Sequence, residues 1–236
     1  MSRPLRLSPL RLLIPALNEA DNLPRLMAEL APALDRLERP WQLLFIDDGS
    51  TDDTARVVGE LAGRYPVAVI RYATNLGPGA AFTTGFKALL EGADPDDPII
   101  TLEADTTSDV SLLPRMLERF DAGADVVLAS VYHPDGGMKN TPLERRLLSL
   151  GANTLMQGVF RMPGIYTFSS FYRVYRVRTL QQALDRHGDR LMEEPGFAAV
   201  VELLIKLHRM GVRIEEVPMV LDSSRRKGAS RMRVLR

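Results

Sequence analysis

Glu103-Ala104-Asp105 closes the apolar run Ile99 to Leu102 with two carboxylates one residue apart. Alternate side chains of an extended chain share a face, so the two acids point the same way. Hard cations such as Mg²⁺ and Mn²⁺ take oxygen ligands, often one or two carboxylates plus the phosphates of a substrate. In such a pair one acid can contact a ribose while the other contacts the metal. The plain alternative is a helix cap by Thr106, Thr107 or Ser108. A second cluster, D-D-G-S-T-D from Asp47 to Asp52, follows another apolar run. Gly49, Ser50 and Thr51 read as a turn and a cap, but the adjacent acids Asp47 and Asp48 repel each other and need a further reason. A carboxylate at a strand end is suited to a base N–H or a ribose hydroxyl. A third stretch, N-L-G-P-G-A-A-F from Asn75 to Phe82, puts Phe82 where a dinucleotide fingerprint needs Gly or Ala. No G-x-x-x-x-G-K-[ST] occurs. Gly77 and Gly79 read instead as a tight turn into a helix, whose N-terminal N–H groups can face a phosphate. His133, His187 and His208 are too scattered for a histidine metal site, and Ser169 and Ser170 have no His partner in view.

These clusters need a scaffold that gathers them. Short apolar runs without polar alternation are expected as strands at Arg11–Ala16, Gln42–Ile46, Val67–Tyr72, Ile99–Leu102 and Asp125–Ser130. Amphipathic segments between them predict helices at Leu23–Leu37, Thr51–Arg64, Ala80–Leu90 and Ser111–Phe120. Buried strands alternating with helices imply an α/β fold with a mostly parallel sheet flanked by helices. Ligands of such sheets bind beyond the carboxyl ends of the strands, so the polar clusters that end the first, second and fourth strands, PALNE, DDGSTD and EAD, should meet on one rim. The second half is less regular. It predicts a loop over Val131–Thr141, a long helix Leu143–Phe160, a strand within Ser169–Tyr175, a helix Pro195–Met210 with Pro195 at its first position, and a last strand Val212–Leu221.

Composition limits the rest. The 236 residues are 45% hydrophobic and 25% charged, and no stretch is apolar enough to span a membrane. No internal repeat or Gly/Ser-rich linker separates independent domains. There is no cysteine, which excludes disulfides and thiolate metal sites. Formal net charge is zero, so bulk charge predicts no nucleic-acid partner. The start, MSRPLRLSPLRLL, is too broken by Arg and Pro for a signal peptide. A cytoplasmic protein, peripheral to a membrane, is expected. The last stretch carries Arg225, Arg226, Lys227, Arg231, Arg233 and Arg236 with no acid, which points to a local anionic partner or a solvated terminus.

In order and spacing, strand-PALNE, strand-DDGSTD, N-L-G-P-G and strand-EAD resemble the family 2 glycosyltransferases. The resemblance is narrower still to polyprenol-phosphate glycosyltransferases of the dolichol-phosphate mannose synthase type. ASVYHPDGGMKNTPLERRLLSLGAN, FSSFYRVYR, GFAAVVELLIKLHRMG, VRIEEVPM and RRKGASRM are similar to that group's later motifs. The likeness runs from Leu12 to Met232. It implies a GT-A fold, a Rossmann-like sheet in one domain over residues 1–236, with a nucleotide-sugar half over about 8–130 and an acceptor half over about 131–236. It implies that Pro15, Ala16, Asn18, Glu19, Asp47 and Asp48 hold the nucleotide, and that Glu103, Ala104 and Asp105 fall on the D-A-D positions that bind Mg²⁺ or Mn²⁺ and the diphosphate. By the same resemblance Arg145 or Arg146 meets the acceptor phosphate, and Arg225, Lys227, Ser230 and Arg231 close over the diphosphate or the acceptor. Four positions depart from the pattern: Glu103 for Asp, Thr107 for Gln, Val131 for Arg and Ser170 for Gly.

The expected activity is metal-assisted, inverting transfer of mannose or another hexose from a GDP- or UDP-sugar to a polyprenyl phosphate. A lipid phosphate is already anionic and needs no general base; a hydroxyl acceptor would, with Glu202 or Glu194 as the places to look. A transferase using a hydroxyl acceptor and a non-catalytic nucleotide-sugar binder are the two other readings. The basic tail and the apolar helix Leu147–Phe160 are expected to reach the membrane surface, either directly or beside a membrane-anchoring protein partner.

Overall fold

Strand β1, Leu10–Ala16, turns Leu10, Leu12 and Ile14 to one face of the sheet and Leu13 to the other, all fully buried. The computed structural model describes residues 8–226 apart from Pro195. Parallel to β1 on either side run β2 (Trp41–Asp47) and β4 (Pro98–Thr101), and β3 (Val67–Arg71) continues beyond β2. On the far side of β4 comes β7 (Arg173–Arg176), antiparallel to both β4 and β5 (Val126–Ser130). The edge strand β8 (Ile214–Pro218) lies parallel to β5, completing the order β3-β2-β1-β4-β7-β5-β8. The mostly parallel sheet expected from unalternating apolar runs is therefore present.

Helices cover both faces because both faces of the central strands are apolar. Leu10, Leu12 and Ile14 pack with α1 (Leu23–Asp35), α2 (Thr54–Ala62) and α4 (Leu113–Asp121). Leu13, Leu44 and Ile99 pack with α3 (Pro78–Leu90), α6 (Val177–His187) and α7 (Ala198–Arg209). The crossing of α3 over β1 is close: a Cβ on Gly85 would sit 2.2 Å from Leu13 Cδ1. Helix α5 spans Leu143–Phe160, as its sequence predicts. No described helix is long and apolar enough to cross a membrane.

Several expectations shift. The helix expected over Thr51–Arg64 begins only at Thr54, because Asp47–Asp53 folds into a turn. The presumed loop Val131–Thr141 contains a short strand, β6 (Gly137–Lys139). The single strand expected over Val212–Leu221 is two: after Pro218 the chain leaves the main sheet, and β9 (Val220–Asp222) pairs with β6. Proline cannot donate to a ladder, so the break falls there. The strand within Ser169–Tyr175 starts at Arg173, and the helix expected from Pro195 starts at Ala198, with Pro195 outside the described residues. Helix α6 was not expected. Only Val177, Thr179, Leu180 and Ala183 are buried along its 11 residues, a thin apolar stripe in a polar segment.

Candidate active site

The carboxyl ends of β1, β2 and β4 point the same way, and the loops leaving β1 and β2 are bonded to each other. Pro15 and Ala16 end β1 in register with Ile46 and Asp47, and Asp48 N–H donates to the Ala16 carbonyl at 2.9 Å. Asn18 adopts φ +52°, which turns its side chain across to the next loop. Its Oδ1 accepts from Thr51 N–H at 2.6 Å and from Asp52 N–H at 3.2 Å. In return, Ser50 Oγ accepts from Asn18 N–H and Thr54 Oγ1 from Glu19 N–H, both at 2.8 Å. Glu19 accepts from Asn22 Nδ2 at 2.7 Å. The residues expected to hold a nucleotide are thus brought together as a zipped pair of loops.

The pair Asp47-Asp48, unexplained by a local turn, has distant partners. Asp47 is fully buried; one oxygen accepts from Ser50 N–H at 2.9 Å and the other faces Arg71 Nε at 3.2 Å. Asp48 accepts from Leu76 N–H at 2.7 Å and Gly77 N–H at 3.0 Å. Those two N–H groups lead into α3, so one anion already stands at the approach to that helix, Asp48 itself. Burial pushes the Asp48 carboxyl above the usual range, partly offset by these two hydrogen bonds, with Asp47 adding to the rise. Gly49 between the clusters has φ +73°, and a Cβ there would lie 2.4 Å from the Thr74 carbonyl carbon.

At the end of β4, Glu103 accepts from Phe171 N–H at 3.1 Å and from the Ser108 hydroxyl. Ala104 is buried. Asp105 is 3% exposed, and its Oδ1 accepts from Thr107 N–H at 2.9 Å and Thr107 Oγ1 at 2.6 Å. Thr107, which stands where the resembling group has Gln, is spent on orienting Asp105. Asp105 Oδ2 pairs with the Arg226 guanidinium. Thr106, at φ +66°, donates its hydroxyl to the Arg225 carbonyl at 2.8 Å.

The segment after β9 therefore straps across the rim. Arg225 pairs with Glu29 on α1, and its carbonyl also accepts from Arg25 Nη1 at 2.9 Å. A 3-10 turn, Ser223–Arg225, is capped by Asp222, which accepts from Ser224 N–H at 3.0 Å, Ser224 Oγ at 2.7 Å and Asn140 Nδ2 at 2.8 Å. The Asn140 bond, then the Ser224 bonds, hold the Asp222 carboxyl down at about 2. Lys227, Ser230 and Arg231, expected over the diphosphate, lie outside the described residues. Arg226, which meets Asp105, carries no signal in the sequence beyond its place in a basic run.

Arg145 and Arg146 sit in the first turn of α5, half-buried and exposed respectively, with no ion-pair partner among the described residues. Glu202, a candidate base for a hydroxyl acceptor, is already committed. It accepts from Glu193 N–H at 2.7 Å, Glu194 N–H at 2.9 Å and the Lys206 ammonium. Burial alone would raise Glu202, but Lys206 and the two backbone donors bring it below the usual range, which makes it a poor base.

No group of three or more His, Asp or Glu side chains suited to a metal occurs among the described residues. Two hard carboxylates, Glu103 and Asp105, nevertheless fit a cation whose remaining ligands come from a diphosphate. Asp105 supports that fit directly: its outer oxygen is nearly buried and already faces a positive charge.

A family model described as glycosyl transferase family 2 matches residues 12–184, from β1 into α6. Polyprenol monophosphomannose synthase of Mycolicibacterium smegmatis is 30% identical over 223 residues, 93% of this chain and 79% of that protein. Undecaprenyl-phosphate mannosyltransferase of Micrococcus luteus is 31% identical over 221 residues, 93% of this chain and 86% of that protein. The crystal structure of glucosyl-3-phosphoglycerate synthase from Mycobacterium tuberculosis, in complex with Mn²⁺, UDP-glucose and phosphoglyceric acid, aligns with a TM-score of 0.65 at 17% identity, covering 95% of this chain and 73% of that one. The three acidic loops on one rim, the sheet order and these likenesses converge: the chain belongs to glycosyl transferase family 2, has the GT-A fold and is a glycosyltransferase.

Proposed function

We propose that this chain transfers a hexose, mannose by preference, from a nucleotide diphosphate sugar to a polyprenyl phosphate. The observation that carries the lipid acceptor is α5. Leu143, Leu147, Leu148, Leu150, Leu155 and Val159 are all exposed on it, and Arg145 and Arg146 stand at its start. An apolar surface with cations at one end suits a lipid whose head is a phosphate. The names of the two 30–31% identical relatives, one for polyprenol and one for undecaprenyl phosphate, support the same class.

In this reading the acceptor phosphate oxygen attacks the anomeric carbon, and the bond from that carbon to the diphosphate breaks with inversion. The electron pair leaves with the nucleoside diphosphate. No proton has to move, because the attacking oxygen is already anionic, which agrees with Glu202 being held as a carboxylate by other partners. The zipped loops Pro15–Glu19 and Asp47–Asp52 form the floor for the nucleoside. Arg225, Arg226, Lys227 and Arg231 supply positive charge for the departing diphosphate. Mg²⁺ or Mn²⁺, held by Asp105 and Glu103, would add Lewis-acid neutralisation of the same charge. Thr107 keeps the Asp105 oxygen in one orientation.

The test is product formation. Nucleotide sugars, GDP-mannose among them, are incubated with Mn²⁺ and a short polyprenyl phosphate, and lipid-extractable sugar is measured. Transfer that is lost with EDTA and lowered at least about 100-fold by Asp105→Asn is expected. Nucleotide-sugar turnover that ignores the lipid, or activity unchanged in both EDTA and Asp105→Asn, would overturn the reading.

A further inference from the structure

Helix α5 is held to the body of the protein in an unusual way. Of its 18 residues only Asn153 is buried. Met156 and Phe160 pack partly against the core, and the rest of the attachment is polar. Asn153 Nδ2 donates to the Tyr166 carbonyl at 2.6 Å, and Gln157 Nε2 to the same oxygen at 3.3 Å. One turn earlier in the helix, Ser149 bonds the Tyr132 hydroxyl. Among the described residues, every tertiary hydrogen bond of an α5 side chain therefore passes through Tyr166 or Tyr132.

Those two residues are themselves fixed at one place. Tyr166 N–H and Thr167 N–H converge on a single oxygen, Glu216 Oε1, at 2.8 and 2.9 Å. Thr167 Oγ1 then contacts Ser130 Oγ at 2.7 Å and accepts from Tyr132 N–H at 3.2 Å. Ser130 Oγ accepts from His133 N–H at 3.1 Å, and the His133 ring meets the Tyr166 ring edge to face at 5.7 Å. Glu216 belongs to β8, the edge strand; burial pushes its carboxyl above the usual range, partly offset by the Ser130 side chain and by the Thr167 and Tyr166 N–H groups. Burying a carboxylate is costly unless its oxygens find donors. An inward charge on an edge strand can also serve to block pairing with another sheet. That role would need no convergence of two backbone donors on one oxygen.

We propose that Glu216 is a positioning residue for the acceptor: through the Tyr166–Thr167 backbone it sets how α5 presents Arg145 and Arg146. This rests on the reading of α5 as the acceptor helix. Two adjacent N–H groups facing one acceptor form a small anion nest, which a carboxylate or amide oxygen fills and a methyl group cannot.

The full-length chain serves for the test. With Mn²⁺ and the nucleotide sugar that supports transfer, Glu216→Ala is expected to raise the KM for short polyprenyl phosphate about tenfold and to leave the donor KM within about twofold. Glu216→Gln keeps the accepting oxygen and should restore the acceptor KM to within about threefold of the parent. Asn153→Ala cuts the same tether from the helix side and should reproduce the acceptor effect, which keeps the idea testable if Glu216→Ala fails to fold. Donor and acceptor parameters shifting together, or Glu216→Gln as impaired as Glu216→Ala, would refute the assignment. Hydrogen exchange separates it from the lipid reading, because it needs no acceptor. Glu216→Ala should speed exchange in α5 and at Tyr166–Thr167 while α3 stays protected. Unchanged exchange in α5 refutes the tether; absence of lipid transfer by the parent with faster exchange in the variant refutes only the acceptor reading.

Discussion

Asp48 occupies the position at the start of α3 that a bound anion takes at many helix N-termini, and Gly49 makes that possible. The backbone at Gly49 is left-handed, and the Thr74–Asn75 peptide passes where a side chain would be. Gly49→Ala should therefore lower unfolding free energy by more than about 1 kcal/mol, measured by denaturant titration. It should also weaken nucleotide binding, because Asp48, Ser50 and Thr51 all move with that turn. An unchanged denaturation midpoint would mean that the turn is not held as described. The pair Asp47-Asp48 illustrates how far one sequence carries at this scale. Two adjacent acids announce a need for partners, but the partners of Asp48 are 28 and 29 positions away. Nothing local in D-D-G-S-T-D identifies Leu76 and Gly77.

Among elements, the strap after β9 depends on one half-buried carboxylate. Asp222 caps the turn that carries Arg225, and Asn140 at the end of β6 is its strongest partner. A carboxyl held below its usual range contributes stability above the ordinary value, and that contribution is lost as pH falls. Here the window runs from 3.8 down to about 2. Carbon-13 NMR of the Asp222 side chain should show the depressed titration in the parent and an upward move in Asn140→Ala. A titration unmoved by that substitution would separate β6 from the strap. Most elements could be read from apolar period, including α5 with both its ends. Helix α6 could not, because half-polar composition hides a stripe made by Val177, Leu180 and Ala183, although Arg186, His187 and Gly188 mark its end in the usual manner. The strand Val212–Leu221 reads as one run of residues, yet Pro218 divides it between two sheets.

For the whole molecule, the distribution of surface is the informative property. A family 2 glycosyltransferase domain with a helix this apolar on its outside needs something apolar to cover it. Under the lipid reading the cover is a bilayer. Leu148 and Leu155 lie seven residues apart on α5, on one face, at 57% and 68% exposure. Replacing both with Glu should reduce co-sedimentation with phosphatidylglycerol vesicles at least about tenfold, since each buried leucine is worth about 1.5–3 kcal/mol. Nucleotide-sugar binding, followed by thermal shift with Mn²⁺, should be unchanged. Equal vesicle binding by parent and variant would remove α5 from the membrane contact.

The sequence by itself determined the layered α/β architecture, the single rim that gathers PALNE, DDGSTD and EAD, and the family. Apolar runs of strand length and the parallel-sheet rule require no knowledge of distant contacts. Tertiary structure alone decided what each charged group does. Asp48 serves α3, Glu103 ties β4 to Phe171, Arg226 meets Asp105, Glu202 holds a loop, and Glu216 turns inward from an edge strand. A carboxylate's role follows from the donors around it, and those donors come from segments that only folding makes neighbours.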